Sequence, residues 1–512
     1  MTTDSNSRVW SKAEPDYDVE RHRQTPYMDA IRAYSSNLKT SYMVPGHGTS
    51  LTGAGLALKG VFGEQLVRYD LPVMLEGIDL GPNAPAMQSR KLAAEAWGAH
   101  TTWFMTNGAS QANRTAALAV RGLGKHVLMQ RSSHSSFVDG VLAAGLHPSF
   151  VIPNVDERNG AVHGITPEML ETALTETKDP ITSVYVVSPS YFGATADVAG
   201  LAEVAHRHGA ALVVDAAWGA HFGFHEELPE SPARLGADLV ISSTHKLAGS
   251  LTQSAMLHLG HGDFVDRLAP LIERAYMMTA STSASAILMG SLDIARSAIA
   301  TGREGIGESI RIANALRDRL RADSRFAVLD DTFDSFDDIV ATDPLRVVVD
   351  ISKLGVTGHW VSGELKERGV APEMATVTTI VLVIGAGAQP DIEIFLAELD
   401  AVAKKAQQLK EAGADLASPA AEFPAIPAVG NLVMLPRDAY FAHTEVVPAE
   451  KAAGRISADS LAAYPPGIPN VQPGEVISPE LVEFLTAVAA SPTGYVRGSV
   501  DPLVTHYRVV AR

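Results

Sequence analysis

The chain has 512 residues, more than one hydrophobic core accommodates, so two or three packed domains are expected. A hydrophobic fraction of 46% with 19% charged residues excludes a disordered chain, and a formal charge of -17 argues against a nucleic-acid partner, because an acidic surface repels phosphate. The absence of cysteine excludes disulfides, thiolate catalysis and Cys-ligated metals.

Met1–Arg23 is polar and charged, with no apolar signal core, and the greasiest run, near Thr379–Ile384, is too short to span a bilayer. A cytoplasmic protein with no membrane partner is therefore expected. Residues 1–45 read as an N-terminal arm whose amphipathic stretch around Tyr27–Tyr34 needs another surface to lie on. Val44–Gly48 reads as a turn. From about residue 90 helix and strand patterns alternate: helix over Lys91–Trp97, strand over Thr102–Met105, helix over Gln111–Arg121, strand over Val127–Met129. Ser183–Val187, Leu212–Val214 and Asp238–Ser242 are further strand-length runs, with a helical spacing over Leu201–His208. Apolar strands separated by helices predict a mainly parallel sheet covered on both faces, an α/β large domain over residues 46–301. Residues 302–411 read as a smaller α/β domain: helices over Arg303–Ala322 and Pro390–Lys410, strands over Arg346–Ile351 and Thr379–Ile384. An Ala/Pro/Gly-rich linker is expected at 412–430 and a C-terminal domain at 431–512, with a helix over Pro479–Ala489.

Lys246, in Ser243-Thr244-His245-Lys246, follows the strand ending near Ser242. That places it at the carboxyl edge of a parallel sheet, where ligands bind in such folds. The plain alternative is a solvated lysine. Thirty-one residues earlier the apolar strand Ala211–Val214 ends in Asp215. A carboxylate at a buried strand end requires a cation or hydrogen-bond donors, and the pyridinium nitrogen of pyridoxal phosphate (PLP) supplies both. Helix capping or metal binding are the alternatives for Asp215, with His221 and His225 as candidate metal ligands. Asn107-Gly108-Ala109-Ser110 precedes a helix, and free amides at a helix N-terminus suit a phosphate, although Ser110 also fits a simple N-cap. Ser243 and His245 offer further donors to that phosphate. His134, after the Val127–Met129 strand, is either an imidazole stacked on the cofactor ring or a polar loop histidine.

Taken in this order, the pieces resemble the Orn/Lys/Arg decarboxylase family over nearly the whole chain. Pro45-Gly46-His47 resembles its entry motif, Thr106–Ser110 its phosphate turn, and Arg131–His134 the segment whose histidine stacks on PLP. Asp215-Ala216-Ala217-Trp218 matches its Asp-x-Ala-(Trp/His) block, and Ser243–Lys246 its Schiff-base signature. Thr279–Ser283, with Ser281 and Thr282, resembles a segment that reaches a neighbouring subunit's phosphate; Gly454–Ser457 and Tyr464–Pro469 resemble the C-terminal signature. Two departures stand out: Gly48 and Ser135 occupy positions where the family usually carries lysine. The chain resembles the shorter branch, which lacks the N-terminal wing domain.

The resemblance implies PLP fold type I, with a seven-stranded-type sheet. It implies PLP as cofactor and no metal, with Lys246 as the Schiff-base lysine and Asp215 on the ring nitrogen. Ala217 and His134 then cover the two ring faces, Trp218 lines the site, and His245 or Lys246 returns a proton to Cα. Glu445 and His47 are the candidate substrate-binding residues, Glu445 being equally readable as a solvated surface charge. The expected reaction is decarboxylation of arginine, lysine or ornithine to the amine, with a lean to arginine and a place in polyamine biosynthesis. An oxidative deaminase or an aminotransferase on the same scaffold is the alternative, and a catalytically dead binding subunit a further one, which the joint presence of Lys246, Asp215 and His134 disfavours. A homodimer with a shared active site is the minimum assembly expected, with the N-terminal arm lying on the partner.

Overall fold

The structure is a computed structural model describing residues 9–11, 15–413, 427–464, 468–490 and 495–512. Residues 414–426 of the expected linker lie outside the described residues, as do Pro465, Pro466 and Gly467 of the expected C-terminal signature. The chain divides into two compact units, the first formed by residues 1–119, 211–308 and 385–388, the second by 120–210, 309–384 and 389–512.

Seven strands carry the α/β architecture: β1 (Thr101–Met105), β2 (His126–Gln130), β3 (His147–Val151), β4 (Ile181–Val187), β5 (Ala211–Asp215), β6 (Leu239–Ser242) and β7 (Ala255–Leu259). The first unit holds four, in the order β1-β7-β6-β5. There β5 and β6 are parallel, with Asp215 opposite Ile241, and β7 is antiparallel to both its neighbours. The second unit holds β4-β2-β3, all parallel. Strands β5, β6 and β7 are buried at every residue, which is why they read as continuous apolar runs rather than alternating ones. The mainly parallel sheet expected from the sequence is therefore present, with β7 as the antiparallel exception.

The amphipathic stretch at the N-terminus finds a surface within its own chain. It forms the helix Pro26–Asn37, which buries Tyr27, Met28 and Ile31 and packs against the helices Pro85–Trp97 and Ala286–Thr301. The reason is a buried polar clamp. Asp293 accepts from the amides of Tyr27 and Met28 at the helix start, at 3.0 and 3.3 Å. Arg296 donates to Asp293 at 2.7 Å and to the carbonyls of His22 and Gln24. A carboxylate on free N-terminal amides and a guanidinium on open carbonyls satisfy groups that burial would otherwise leave costly.

The second unit also contains a four-stranded antiparallel sheet formed by Ala327–Val328, Arg346–Asp350, Thr379–Val383 and Met374–Ala375, in that order. The helix Gly358–Glu367 packs on it and on the long helix Ile392–Glu411. Further along, Pro479–Ala490 buries Leu481, Phe484 and Leu485 against Val471, Val496, Tyr507 and Val509 of the C-terminal strands. Among the described residues no helix is long and apolar enough to cross a membrane.

One buried histidine makes the first unit pH-sensitive. His258, at the fourth position of β7, is fully buried, bonded through Nδ1 to Thr102 Oγ1 at 2.8 Å and stacked on Trp97. Burial depresses its pKa from 6.5 to about 3. The unfolded chain therefore takes up the proton first. The stabilisation is complete above pH 6.5 and is lost as the pH falls from there towards 3, by about 1.4 kcal/mol per pH unit. Urea unfolding at pH 7.5 and 5.0 is expected to show a fall in stability that is smaller in His258→Phe by about 2 kcal/mol. Equal falls in both proteins would refute this.

Candidate active site

Asp215 ends β5 and Ser242 ends β6, and because the two strands run parallel the segments that follow leave the sheet from the same edge. After β6 the chain passes through Ser243 into the short helix Thr244–Leu247, with the Lys246 amide donating to the Ser243 carbonyl at 2.9 Å. Lys246 is half-buried, and its Nζ lies 3.6 Å from the centre of the Trp218 ring. An ammonium over an indole face is held by the ring quadrupole, and the structure brings Lys246 and Trp218 together.

Asp215 is 3% exposed. Its Oδ2 accepts from Asn113 Nδ2 and its Oδ1 from the Ala217 amide, both at 3.0 Å. These neutral donors orient the carboxylate. Asn113 is the residue that sequence reasoning missed. It sits on the buried face of the helix Gly108–Val120 among Ala112, Ala116 and Ala117, and an amide on an alanine-rich face was the available signal.

The helix Gly108–Val120 begins at Gly108, so Ser110 lies within its first turn and is not the N-cap. Gly108 has φ +74°, a left-handed conformation that a side chain at this position would strain. Two further features buttress this turn. Gln253 adopts φ +76° and donates from Nε2 to Asn107 Oδ1 at 3.0 Å, and Gln111 Oε1 accepts from the Asn107 amide at 3.1 Å. A non-glycine residue in that region costs about 1–3 kcal/mol and persists where surrounding structure enforces it.

His245 lies 3.4 Å from Ser243 Oγ through Nδ1, and the same nitrogen contacts the Ser254 carbonyl at 2.9 Å. A carbonyl only accepts, so in this contact Nδ1 carries the proton. Ser281 and Thr282 are exposed, in a turn where the Ser283 amide donates to Ser281 Oγ at 3.2 Å. His47 receives the Thr49 amide on Nδ1 and meets Asp70 through Nε2 at 3.2 Å. Gly48, in place of lysine, has φ +54°.

His134 and Glu445 belong to the second unit. His134 is the N-cap of the helix Ser135–Ala144, with Nδ1 accepting from the Ser136 amide at 3.2 Å. Glu445 is exposed and hydrogen-bonded by Arg455, which holds its carboxyl below the usual range. His221, its ring tilted against Phe222, and His225, whose Nδ1 accepts from the Glu227 amide, are the two histidines considered as metal ligands. Among the described residues no group of three or more His, Asp or Glu is arranged to hold a metal ion.

The first unit's donor set fits PLP: backbone amides at a helix start for the phosphate, an oriented buried carboxylate for the ring nitrogen, and a half-buried lysine for the aldehyde carbon.

Comparison with known proteins places these residues in context. The Orn/Lys/Arg decarboxylase major domain matches residues 25–391, and the Orn/Lys/Arg decarboxylase C-terminal domain matches residues 423–494. The arginine decarboxylase of Bacillus subtilis (strain 168) is 34% identical over 470 residues, covering 90% of this chain and 93% of the relative. The arginine decarboxylase of Halalkalibacterium halodurans is 33% identical, with coverages of 91% and 94%. Among solved structures, lysine decarboxylase A from Pseudomonas aeruginosa shares the fold with a TM-score of 0.81 at 22% identity, over 95% of this chain and 80% of that one.

Proposed function

Since this chain belongs to the Orn/Lys/Arg decarboxylase family, we propose that its substrate is arginine and that Lys246, Asp215 and His134 are the residues around which the reaction is organised. The enzyme is a PLP-dependent basic-amino-acid decarboxylase of fold type I. The observation that carries the choice of arginine is the 34% identity to an arginine decarboxylase over nine-tenths of both chains.

When bound, PLP supplies a protonated ring that accepts the electron pair left at Cα as CO2 departs. Lys246 holds the cofactor through its amine, and Trp218 positions that amine before the cofactor arrives. Asp215, oriented by Asn113 and the Ala217 amide, keeps a proton on the ring nitrogen. The amides of Gly108, Ala109 and Ser110 bind the phosphate, joined by Ser243, with His245 beside it. His245, held through Nδ1 by the Ser254 carbonyl, is one proton donor at Cα. Lys246 is the other proton donor at that carbon. His134 and Ala217 would help to hold the cofactor ring, and His47 and Glu445 would help to bind the substrate. In a homodimer Ser281 and Thr282 reach the partner's phosphate. Support for a partner comes from exposed apolar side chains of the first unit: Val61 (77%), Phe62 (62%), Met277 (70%) and Met278 (75%). The cytoplasm and polyamine biosynthesis are the setting that fits this reaction.

The test mixes the protein and PLP with arginine, lysine or ornithine separately and follows CO2, amine, ammonia and peroxide together. CO2 with one equivalent of amine from arginine, and much slower turnover of the other two, is the expected result. Preference for lysine or ornithine overturns the substrate assignment. Ammonia or peroxide in place of the amine overturns the decarboxylase chemistry.

A further inference from the structure

The helix Ser135–Ala144 is held at both ends by arginines from the C-terminal region. At its start Arg497 donates from Nη1 to Ser135 Oγ, with Nη2 3.9 Å from Asp139 Oδ2. At its end Arg437 donates from Nη1 to the Ala143 carbonyl at 3.1 Å. The second contact follows from elementary electrostatics, a cation meeting the open carbonyls of a helix C-terminus. The first opposes the helix dipole and is sustained by a hydroxyl and a carboxylate instead.

Just before this helix, Arg131 reaches the other way. It is 5% exposed, its Nη2 lies 3.0 Å from Glu475 Oε2, and its Nη1 donates to the Pro469 carbonyl at 2.6 Å. Glu475 is fully buried, and the same Oε2 accepts from the Gln472 amide at 2.9 Å. Removing one member of such a pair leaves the other charge buried and uncompensated, so the tie is hard to break.

Between these ties stand Ser132, Ser133 and His134. His134 is the N-cap of the tethered helix, with its Nδ1 engaged by Ser136. An N-cap side chain bonded to the first turn moves with its helix. A ring that must lie flat on a second ring tolerates deviations of only about 10–20°.

We propose that Arg497 and Arg437, together with the Arg131–Glu475 pair, are positioning residues through which the C-terminal region sets the orientation of the His134 ring. The proposal rests on the reading of His134 as the residue that covers the cofactor. It assigns to the C-terminal region a part in cofactor retention exerted through His134.

The test is a double-mutant cycle on the PLP-loaded enzyme with His134→Ala, Arg497→Ala and the double variant. Arg497 is 40% exposed, so its truncation leaves no buried charge behind. Arg437→Ala repeats the test at the other helix end. The readouts are the rate of PLP release, the visible circular dichroism of the bound cofactor, and hydrogen exchange over residues 131–144 in cofactor-free protein. The expected result is faster release in Arg497→Ala, on the order of fivefold, with faster exchange over 131–144, and a double variant no worse than His134→Ala alone. Multiplying effects in the double variant, or release and dichroism unchanged in Arg497→Ala, overturn the proposal while leaving His134 in place. Wild-type release in His134→Ala overturns the reading of His134 and the proposal with it. A merely structural role for Arg497 lowers thermal stability without coupling to His134.

Discussion

Replacing Lys246 with alanine is expected to abolish CO2 evolution, with a fall on the order of 10³-fold or more, and to leave a protein that loses PLP and its visible absorbance on gel filtration. Lys246 is half-buried at the carboxyl edge of two parallel strands, with its amine over the Trp218 ring. Alanine removes the one amine at this position that holds the cofactor, and no other change at the site supplies another. The backbone of the short helix Thr244–Leu247 is held by the Ser243 carbonyl and by His245, so the variant keeps its fold and the loss is chemical. Retention of the visible absorbance in the variant through gel filtration would remove Lys246 from its assigned role.

Asp215→Asn is expected to lower kcat by about 10²–10³-fold while the protein still retains PLP. The substitution preserves shape and keeps an acceptor for Asn113 or for the Ala217 amide, but it removes the negative charge. A neutral amide at 3% exposure cannot keep a pyridine nitrogen protonated, so the ring becomes a weaker electron acceptor at the moment CO2 leaves. Asn113→Ala, which frees the carboxylate without discharging it, is expected to cost far less, about fivefold. Rates within tenfold of wild type for Asp215→Asn would show that the ring nitrogen is not this residue's partner. Lys246→Ala and Asp215→Asn together separate holding from chemistry, because Lys246→Ala loses the cofactor and Asp215→Asn keeps it.

Much of the fold is legible because burial writes itself into composition. Strands β5 and β6 are buried along their whole length and read directly as apolar runs ending in Asp215 and before Lys246. Strand β3 was not read, since His-Pro-Ser-Phe-Val carries neither a continuous nor an alternating pattern. It stands at the end of its strand order, where a proline lacking a ladder donor is tolerated. Strand β7 is hidden by a histidine at its fourth position, a residue made acceptable by one hydroxyl of β1. The helix Val265–Thr279 went unread for a similar reason, as it carries Pro270 in its interior.

The residue types and order of the candidate site are properties of the chain by itself: a lysine after one buried strand, a carboxylate ending another, a glycine opening a helix, a histidine after a third. Such groups are conspicuous locally because charges and left-handed glycines are expensive wherever they are not needed. What only the tertiary structure decided is which groups hold them. Asn113 meets Asp215 across 102 positions, Gln253 meets Asn107 across 146, and Arg131 meets Glu475 across 344. The N-terminal helix closes on its own Asp293 and Arg296 through contacts 265 or more residues apart. A hydrogen bond lasts only when both groups are brought to about 3 Å with the right orientation. Spacing along the chain carries no trace of that closeness, because it arises when separate strands and helices pack.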